Sequence, residues 1–327
     1  MNGGIDSRRS SILRRLRTVP LFLLLFAVAT VGLPLLLAVA LVVDATRWAV
    51  RRRPWMATRL ALFLWLYLAA EAAAIVALFL AWALPPRGRL VERTYGLQAR
   101  WAAFLFGAAR RLFSLRFDVE GADAVTPGPI VVLMRHASIV DNLLPAMFVA
   151  APHGLRLRYV LKRELLADPS IDIAGGRLPN CFVLRGADDT EAEVARVRAL
   201  AEGLGPREGV LIYPEGTRFT AAKRRRAIER QPRAAKLEHV LPPRPGGTLA
   251  VLDTGADVVV CAHHGLDGFA SVSDLWRGGL VRRTVRVRFS RFAAASLPEG
   301  REARTAWLWQ RWHEVDDWIG AQQEAAA

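Results

Sequence analysis

The sequence predicts an α/β fold: a mostly parallel central sheet flanked by helices, preceded by an N-terminal two-helix membrane anchor. Two long apolar runs stand before residue 90, and short apolar runs of β-rich composition recur after residue 115, with helical patterns between several of them. Strands that alternate with helices build parallel sheets, because a parallel pair needs a crossover connection. A boundary near residue 90 divides 1–90, the anchor, from 91–327, a globular domain.

The anchor is read first. Arg8, Arg9, Arg14, Arg15 and Arg17 precede a charge-free run from Pro20 to Val43. That run exceeds the roughly 20 residues needed to cross a bilayer core, and Pro34 permits a bend in it. It is longer than a typical signal-peptide apolar region and ends in Asp44 and Arg47 without a small-residue cleavage site. Arg51, Arg52, Arg53 and Arg59 separate it from a second run, Leu60 to Leu84, interrupted only by Glu71. An acid in mid-span is costly unless it faces protein or water. The pair of runs forms either a transmembrane hairpin or a unit dipping into one leaflet. The distribution of arginines, including Arg87, Arg89, Arg93 and Arg100, slightly favours a cytoplasmic N-terminus and globular domain.

Strands are expected at Leu115–Val119, Ile130–Met134, Leu157–Leu161, Cys181–Leu184, Val210–Tyr213, Val258–Ala262 and Val281–Phe289. Helices are expected at Trp101–Phe113, amphipathic and lying at a membrane surface, and at Glu191–Leu204. The strict alternation Val285-Arg286-Val287-Arg288-Phe289 predicts a half-exposed edge strand. Leu308, Trp312, Val315 and Ile319 share a helical face that packs on the core.

Composition narrows the partners. Of 327 residues 53% are hydrophobic, and the net charge is +15. Such a charge calls for an anionic partner: nucleic acid, anionic lipid or a phosphorylated substrate. Cys181 and Cys261 stand alone, so neither a disulfide framework nor a thiolate metal site is expected.

Two stretches carry chemistry. In Arg135-His136-Ala137-Ser138-Ile139-Val140-Asp141-Asn142, Ser138 and Asp141 have the spacing of a capping box at a helix N-terminus. His136 lies beside that turn, where Asp141 can orient its imidazole so that the other nitrogen accepts a proton. A capping Asp beside an incidental His remains the simpler alternative for these eight residues alone. In Val210 to Thr220 an apolar strand ends at Pro214 and turns through Glu215 and Gly216, bringing Thr217 and Arg218 to the carboxyl edge of the sheet, where α/β folds bind ligands. Arg218 can grip a phosphate through two parallel hydrogen bonds. Glu215 is read as holding the turn, and backbone N–H groups near Gly216 are candidate donors to an oxyanion. His263 and His264 lack a third ligand at a recognisable spacing, so no metal is expected.

The His/Asp block, then Arg185 closing the strand Cys181-Phe182-Val183-Leu184, then Pro214-Glu215-Gly216-Thr217-Arg218, resembles the glycerolipid acyltransferases in content and order. Phe219-Thr220, Lys223 and Leu241-Pro242-Pro243-Arg244 are similar to the branch of 1-acylglycerol-phosphate and lysophospholipid acyltransferases. Arg135 stands where that family often has Asn.

The resemblance implies a membrane-bound enzyme of phospholipid biosynthesis. It would move an acyl group from acyl-CoA or an acyl carrier protein to a lysophospholipid, foremost 1-acyl-glycerol-3-phosphate, giving phosphatidic acid. His136 and Asp141 would be its general base pair. Arg185 and Arg218 would clamp the phosphate, with Glu215, Gly216, Thr217 and, less directly, Lys162 completing the substrate site. No cofactor beyond the thioester co-substrate and no nucleic-acid partner is implied. The expected location is a bacterial cytoplasmic membrane with the catalytic domain facing the cytoplasm. Alternatives are another lysolipid headgroup, a membrane-tethered lipid ester hydrolase, and a non-catalytic basic membrane- or nucleic-acid-binding protein. The hydrolase lacks a Gly-x-Ser-x-Gly elbow, and the binding protein leaves the ordered blocks unexplained.

Overall fold

The computed structural model describes residues 8–183 and 191–325. The chain divides into two compact units. The first comprises Met1–Arg116, Lys162–Phe182 and Leu275–Arg283; the second comprises Phe117–Leu161, Val183–Asp274 and Thr284–Ala327.

Helices dominate the first unit: α1 (Arg8–Val31), α2 (Leu33–Arg51), α3 (Ala57–Ala83), α4 (Leu90–Phe113) and the short α5 (Pro169–Gly175). The apolar run Pro20–Val43, expected as one helix, is shared between α1 and α2, which part at Gly32. Pro34 sits in the first turn of α2, where its missing N–H costs nothing, whereas in a continuous helix it would break the ladder. Two described helices are long and apolar enough to cross a membrane, Leu33–Arg51 and Ala57–Ala83.

Polar groups tie this unit together. Both oxygens of Asp44 accept backbone N–H groups, from Met56 and Ala57 at 2.9 Å and Thr58 at 2.8 Å, capping the start of α3. Arg14 grips Asp172 of α5 through two bonds of 2.9 and 3.0 Å. Glu71 is fully buried and accepts from Trp101 Nε1 at 2.8 Å and Ser170 Oγ at 2.9 Å. The mid-run acid therefore faces protein. Helix α4 is longer than the amphipathic stretch read from sequence and packs along α3, burying Leu105, Phe106, Ala109 and Phe113. Val91 and Phe104 of the same helix stay exposed.

Most of the sheet belongs to the second unit. All seven expected strands form: β1 (Arg116–Glu120), β2 (Ile130–Met134), β3 (Arg156–Lys162), β4 (Cys181–Val183), β5 (Glu208–Ile212), β6 (Asp257–His264) and β7 (Thr284–Phe292). Their order is β1-β7-β6-β2-β5-β3-β4. The pairs β3–β5, β5–β2 and β2–β6 are parallel, and β7 runs antiparallel to β6. Strand β2 is buried at all five positions, as the middle of a parallel sheet covered on both faces should be. The alternating strand β7 is not an edge, because β1 lies outside it. Its inward Val285, Val287 and Phe289 are buried, which accounts for the alternation without an edge position.

Helices α6 (Glu191–Ala201), α8 (Pro245–Leu252) and α9 (Arg301–Glu324) pack on the sheet and on one another. Leu308, Trp312, Val315 and Ile319 of α9 are buried as their spacing predicts. Helix α7 (Ala221–Arg230) carries the basic stretch and buries no residue.

Candidate active site

Strands β2 and β5 end side by side, with Leu133 opposite Ile212, and β6 runs on from Cys261, opposite Met134, to His264. Their carboxyl ends therefore deliver three loops to one place. The first carries His136 and Asp141, the second Glu215 to Arg218, and the third His263 to Ala270.

His136 Nδ1 lies 3.0 Å from Asp141 Oδ1. Asp141 Oδ2 accepts the backbone N–H groups of Ala137 at 2.7 Å and Ser138 at 2.8 Å, and His263 Nε2 stands 3.4 Å from the same oxygen. Burial pushes the Asp141 carboxyl up, but His136 and His263 outweigh it and hold the group well below the usual carboxylate range. An ionised Asp141 fixes the proton of His136 on Nδ1, which turns the basic lone pair to Nε2. Nε2 has no hydrogen-bond partner among the described residues, and the His136 side chain is 9% exposed. The Tyr213 ring lies across the imidazole, with centroids 4.4 Å apart. Burial raises the Tyr213 pKa well above its ordinary value, so this wall is neutral.

The backbone of His136 is held from both sides by the second loop. Its N–H donates to Glu215 Oε1 at 2.9 Å, and its carbonyl accepts from Phe219 N–H at 2.7 Å. Glu215 Oε2 accepts Leu241 N–H at 2.9 Å, so one buried carboxylate joins three segments. Burial pushes the Glu215 carboxyl up to about 8, against the pull of Arg135 and the two N–H donors. Gly216 has φ +65°, and its N–H closes the turn onto Tyr213 O at 2.9 Å. A Cβ there would stand 3.2 to 3.4 Å from the side chain of Arg244. Lys223 Nζ donates to Thr217 Oγ1 at 2.7 Å and to the carbonyl of Arg218 at 2.9 Å. The half-buried Arg218 donates through Nη1 to the carbonyl of Ala270 in the third loop.

Ser138 makes half of the expected capping box. Its N–H reaches Asp141, while its Oγ accepts from Val140 N–H at 3.1 Å and donates to Phe269 O at 3.0 Å. No regular α-helix follows directly. Asp141–Leu143 is a tight 3-10 turn, and Pro145–Ala150 is wound as a π-helix. Pro145 has no N–H to give the Asp141 carbonyl, so the ladder cannot pass through it.

Arg135 was a residue whose role the sequence did not disclose. It is fully buried and donates to His263 O and His239 O, each at 2.7 Å, and to the carboxylate of Asp267. Burial works against its charge, but Asp267 more than compensates and keeps the guanidinium ionised. His263 Nε2 faces the carbonyl of Arg135 at 3.1 Å. Among the described residues no group of three metal-ligating side chains gathers, and His263 and His264 serve this polar layer instead. Of the other expected residues, Arg185 lies outside the described residues, and Lys162 ends β3 within the first unit.

Residues 116–264, a stretch that contains both motif loops, match the protein family described as Acyltransferase. The chain carries an acyltransferase-family domain. A stretch of 167 residues is 27% identical to a 1-acyl-sn-glycerol-3-phosphate acyltransferase of Pseudomonas aeruginosa. That similarity spans half of this chain and 55% of the relative, so the chain matches only about half of that protein's length. The fold is similar to the crystal structure of PlsC, the 1-acyl-sn-glycerophosphate acyltransferase of Thermotoga maritima, with a TM-score of 0.53 at 18% identity. That similarity covers 82% of this chain and 98% of the other.

Proposed function

We propose that the chain is a membrane-bound acyltransferase that moves an acyl group from a thioester to the free hydroxyl of a lysophospholipid, foremost 1-acyl-glycerol-3-phosphate. The observation that carries this reading is the His136–Asp141 pair at 3.0 Å, whose backbone is bonded on both sides to the Pro214–Phe219 loop. A base and an anion-gripping arginine on two loops so joined can address one substrate. The relative's activity at 27% identity supports the same chemistry.

In the reaction, the acceptor hydroxyl attacks the thioester carbonyl while its proton passes to His136 Nε2. Asp141 stabilises the imidazolium, as the Asp of a hydrolase triad does. The tetrahedral intermediate collapses with cleavage of the C–S bond, and the departing thiolate recovers the proton from His136. The acceptor oxygen is itself the nucleophile, so no acyl-enzyme is required. Ser138, fixed by Phe269 and Val140, is left to structure.

Arg218, with Arg185, is the clamp for the acceptor phosphate. Glu215, Gly216 and Thr217 shape the loop that presents it, and Lys162 is a further cation for the anionic substrates. The donor is acyl-CoA or an acyl carrier protein thioester, with no other cofactor. Helices α2 and α3 embed the chain in the cytoplasmic membrane with the sheet domain on the cytoplasmic side.

The test is incubation of the purified full chain with radiolabelled acyl-CoA and a panel of lysolipids. Label in phosphatidic acid is the expected result. Release of free fatty acid alone would favour a hydrolase, and absence of turnover beside tight vesicle binding would favour a non-catalytic membrane protein.

A further inference from the structure

The first unit contains a cleft lined by residues that take no part in holding His136. This cleft of about 390 Å³ is lined by Arg47, Val50, Arg51, Arg53, Trp276 and Arg277 among others. Its size falls in the range of about 300–1,000 Å³ typical of ligand sites.

The charge of this cleft is unbalanced. Residues 45–59 and 275–283 contain eight arginines and no acid. Two acids flank these stretches in sequence: Asp44 spends both oxygens on three backbone N–H groups at the start of α3, and Asp274 accepts the Ser271 N–H and hydroxyl through Oδ2. Helix α2 ends at the cleft, and its carbonyl end contributes about half a negative charge. Four guanidinium groups exceed that several-fold. Arg47 Nη2 donates to Trp276 O at 2.7 Å, while Arg47 Nη1 is buried with no hydrogen-bond partner and lies 3.8 Å from Asp44 Oδ1. A buried donor left unpaired is costly, and an incoming acceptor oxygen would remove that cost.

The cleft is also preorganised and amphipathic. Gly278 has φ +85°, and a Cβ there would come within 2.4 Å of Pro54 Cγ, so the 275–283 segment sits hard against the α2–α3 connection. That contact fixes Trp276 under Arg47, whose guanidinium carbon lies 4.1 Å from the indole centroid. Trp276 is 42% exposed and Val50 73%, so the cationic cleft has an apolar rim. The rim continues into the exposed Leu35, Val39 and Val42 of α2. An indole and arginines at the end of such a helix are the residues that settle at a bilayer's headgroup level.

We propose that this cleft binds the phosphate of an anionic phospholipid, with Arg47, Arg51, Arg53 and Arg277 around the phosphate and Trp276 and Val50 against its glycerol and upper acyl chain. The proposal rests on the membrane reading above for the source of its ligand, and not on acyl transfer.

The test uses the full chain in a nonionic detergent, titrated separately with phosphatidylglycerol, phosphatidylcholine and inorganic phosphate, with retained ligand counted by native mass spectrometry. Arg51→Gln/Arg277→Gln removes two exposed cations with no packing role, and Arg47→Gln removes the buried donor; thermal melts confirm that each variant is folded. The expected result is one phosphatidylglycerol held at least tenfold more tightly than phosphatidylcholine, with that preference lost in both variants. Equal retention of the two lipids, or an unchanged preference in the double variant, overturns the proposal. Phosphate bound as tightly as phosphatidylglycerol overturns the lipid assignment in favour of a free anion. A parallel flotation with phosphatidylcholine vesicles separates the two readings: failure to float there and with phosphatidylglycerol overturns membrane association itself, whereas flotation without lipid preference overturns only the cleft.

Discussion

Glu215 holds His136 by its backbone rather than by its ring: Oε1 accepts the His136 N–H at 2.9 Å, while the opposite oxygen accepts that of Leu241. The acid of the second motif thus positions the histidine of the first. Glu215→Gln keeps the shape but turns an amide NH2 toward one of the two N–H donors. We expect a loss of about 1–3 kcal/mol of stability, the cost of an unsatisfied buried group, together with a fall in kcat that exceeds any change in KM. Chemical denaturation and steady-state kinetics on the same preparation check this. An unchanged kcat would confine Glu215 to the fold.

His136→Ala removes the proton acceptor while leaving its backbone bonds in place. Loss of general base catalysis is worth about 10²–10⁴-fold, so transfer should fall by that factor in protein still folded at the assay temperature, with a lower melting temperature because buried Asp141 loses a partner. Asp141→Asn should also reduce kcat, because an amide no longer enforces the Nδ1–H tautomer. Retention of more than a tenth of the wild-type rate in His136→Ala would remove this residue from the mechanism.

Much of this is legible in the sequence itself. His136 and Asp141 meet because they belong to one short loop, and the Pro214–Arg218 turn announces itself by closing an apolar strand. The strands were legible for the same reason, since β2, β5 and β6 are local runs of buried residues and β7 a local alternation. What stayed hidden depends on distant partners. Arg135 finds its partners 104, 128 and 132 residues away at His239, His263 and Asp267, and Tyr213 meets His136 only through the pairing of β2 with β5. The position of β7 was misread because alternation reports which face is buried and not whether a neighbour strand exists. The division of the first apolar run at Gly32 follows from Pro34, whose presence allowed either a bend or a break.

Arg218→Ala tests the phosphate clamp. A hydrogen bond to a charged group contributes about 1.5–3 kcal/mol, so KM for a phosphate-bearing lysolipid should rise about 10- to 100-fold. A neutral monoacylglycerol, where turned over at all, should be used no worse than before. Equal losses with both acceptors would show that Arg218 acts by fastening the third loop through Ala270.

Stability should respond to pH with two limbs of opposite cause. Asp141 and Asp267 hold their protons less tightly in the folded protein than the ordinary aspartate value of 3.8. Their contribution is present above that value and is lost as pH falls below it, because the unfolded chain then binds protons that the folded one refuses. Glu215 has the reverse sign. With its carboxyl raised from 4.5 to about 8, the folded state keeps a proton that the unfolded state has released, and stability declines as pH rises across that interval. Melting temperatures from pH 3 to 9 should show both limbs, with Asp141→Asn flattening the acidic one and Glu215→Gln the alkaline one.

Arg135→Met should be among the most damaging single changes, since it strands the Asp267 carboxylate. Removing one partner of a buried ion pair costs about 3–5 kcal/mol. Changing Asp267 to Leu in the same chain should restore much of that loss, and denaturation of the two single variants and the double one gives the coupling directly.

The Arg135–Asp267 pair also constrains how such a sequence can drift. Residue 135 directly precedes His136, so neither position can be exchanged alone without placing an uncompensated charge beneath the His136–Asp141 pair. The two codons are therefore expected to change together. A descendant with Asn at 135 should carry a neutral residue at 267, a coupled inheritance between positions more than a hundred residues apart.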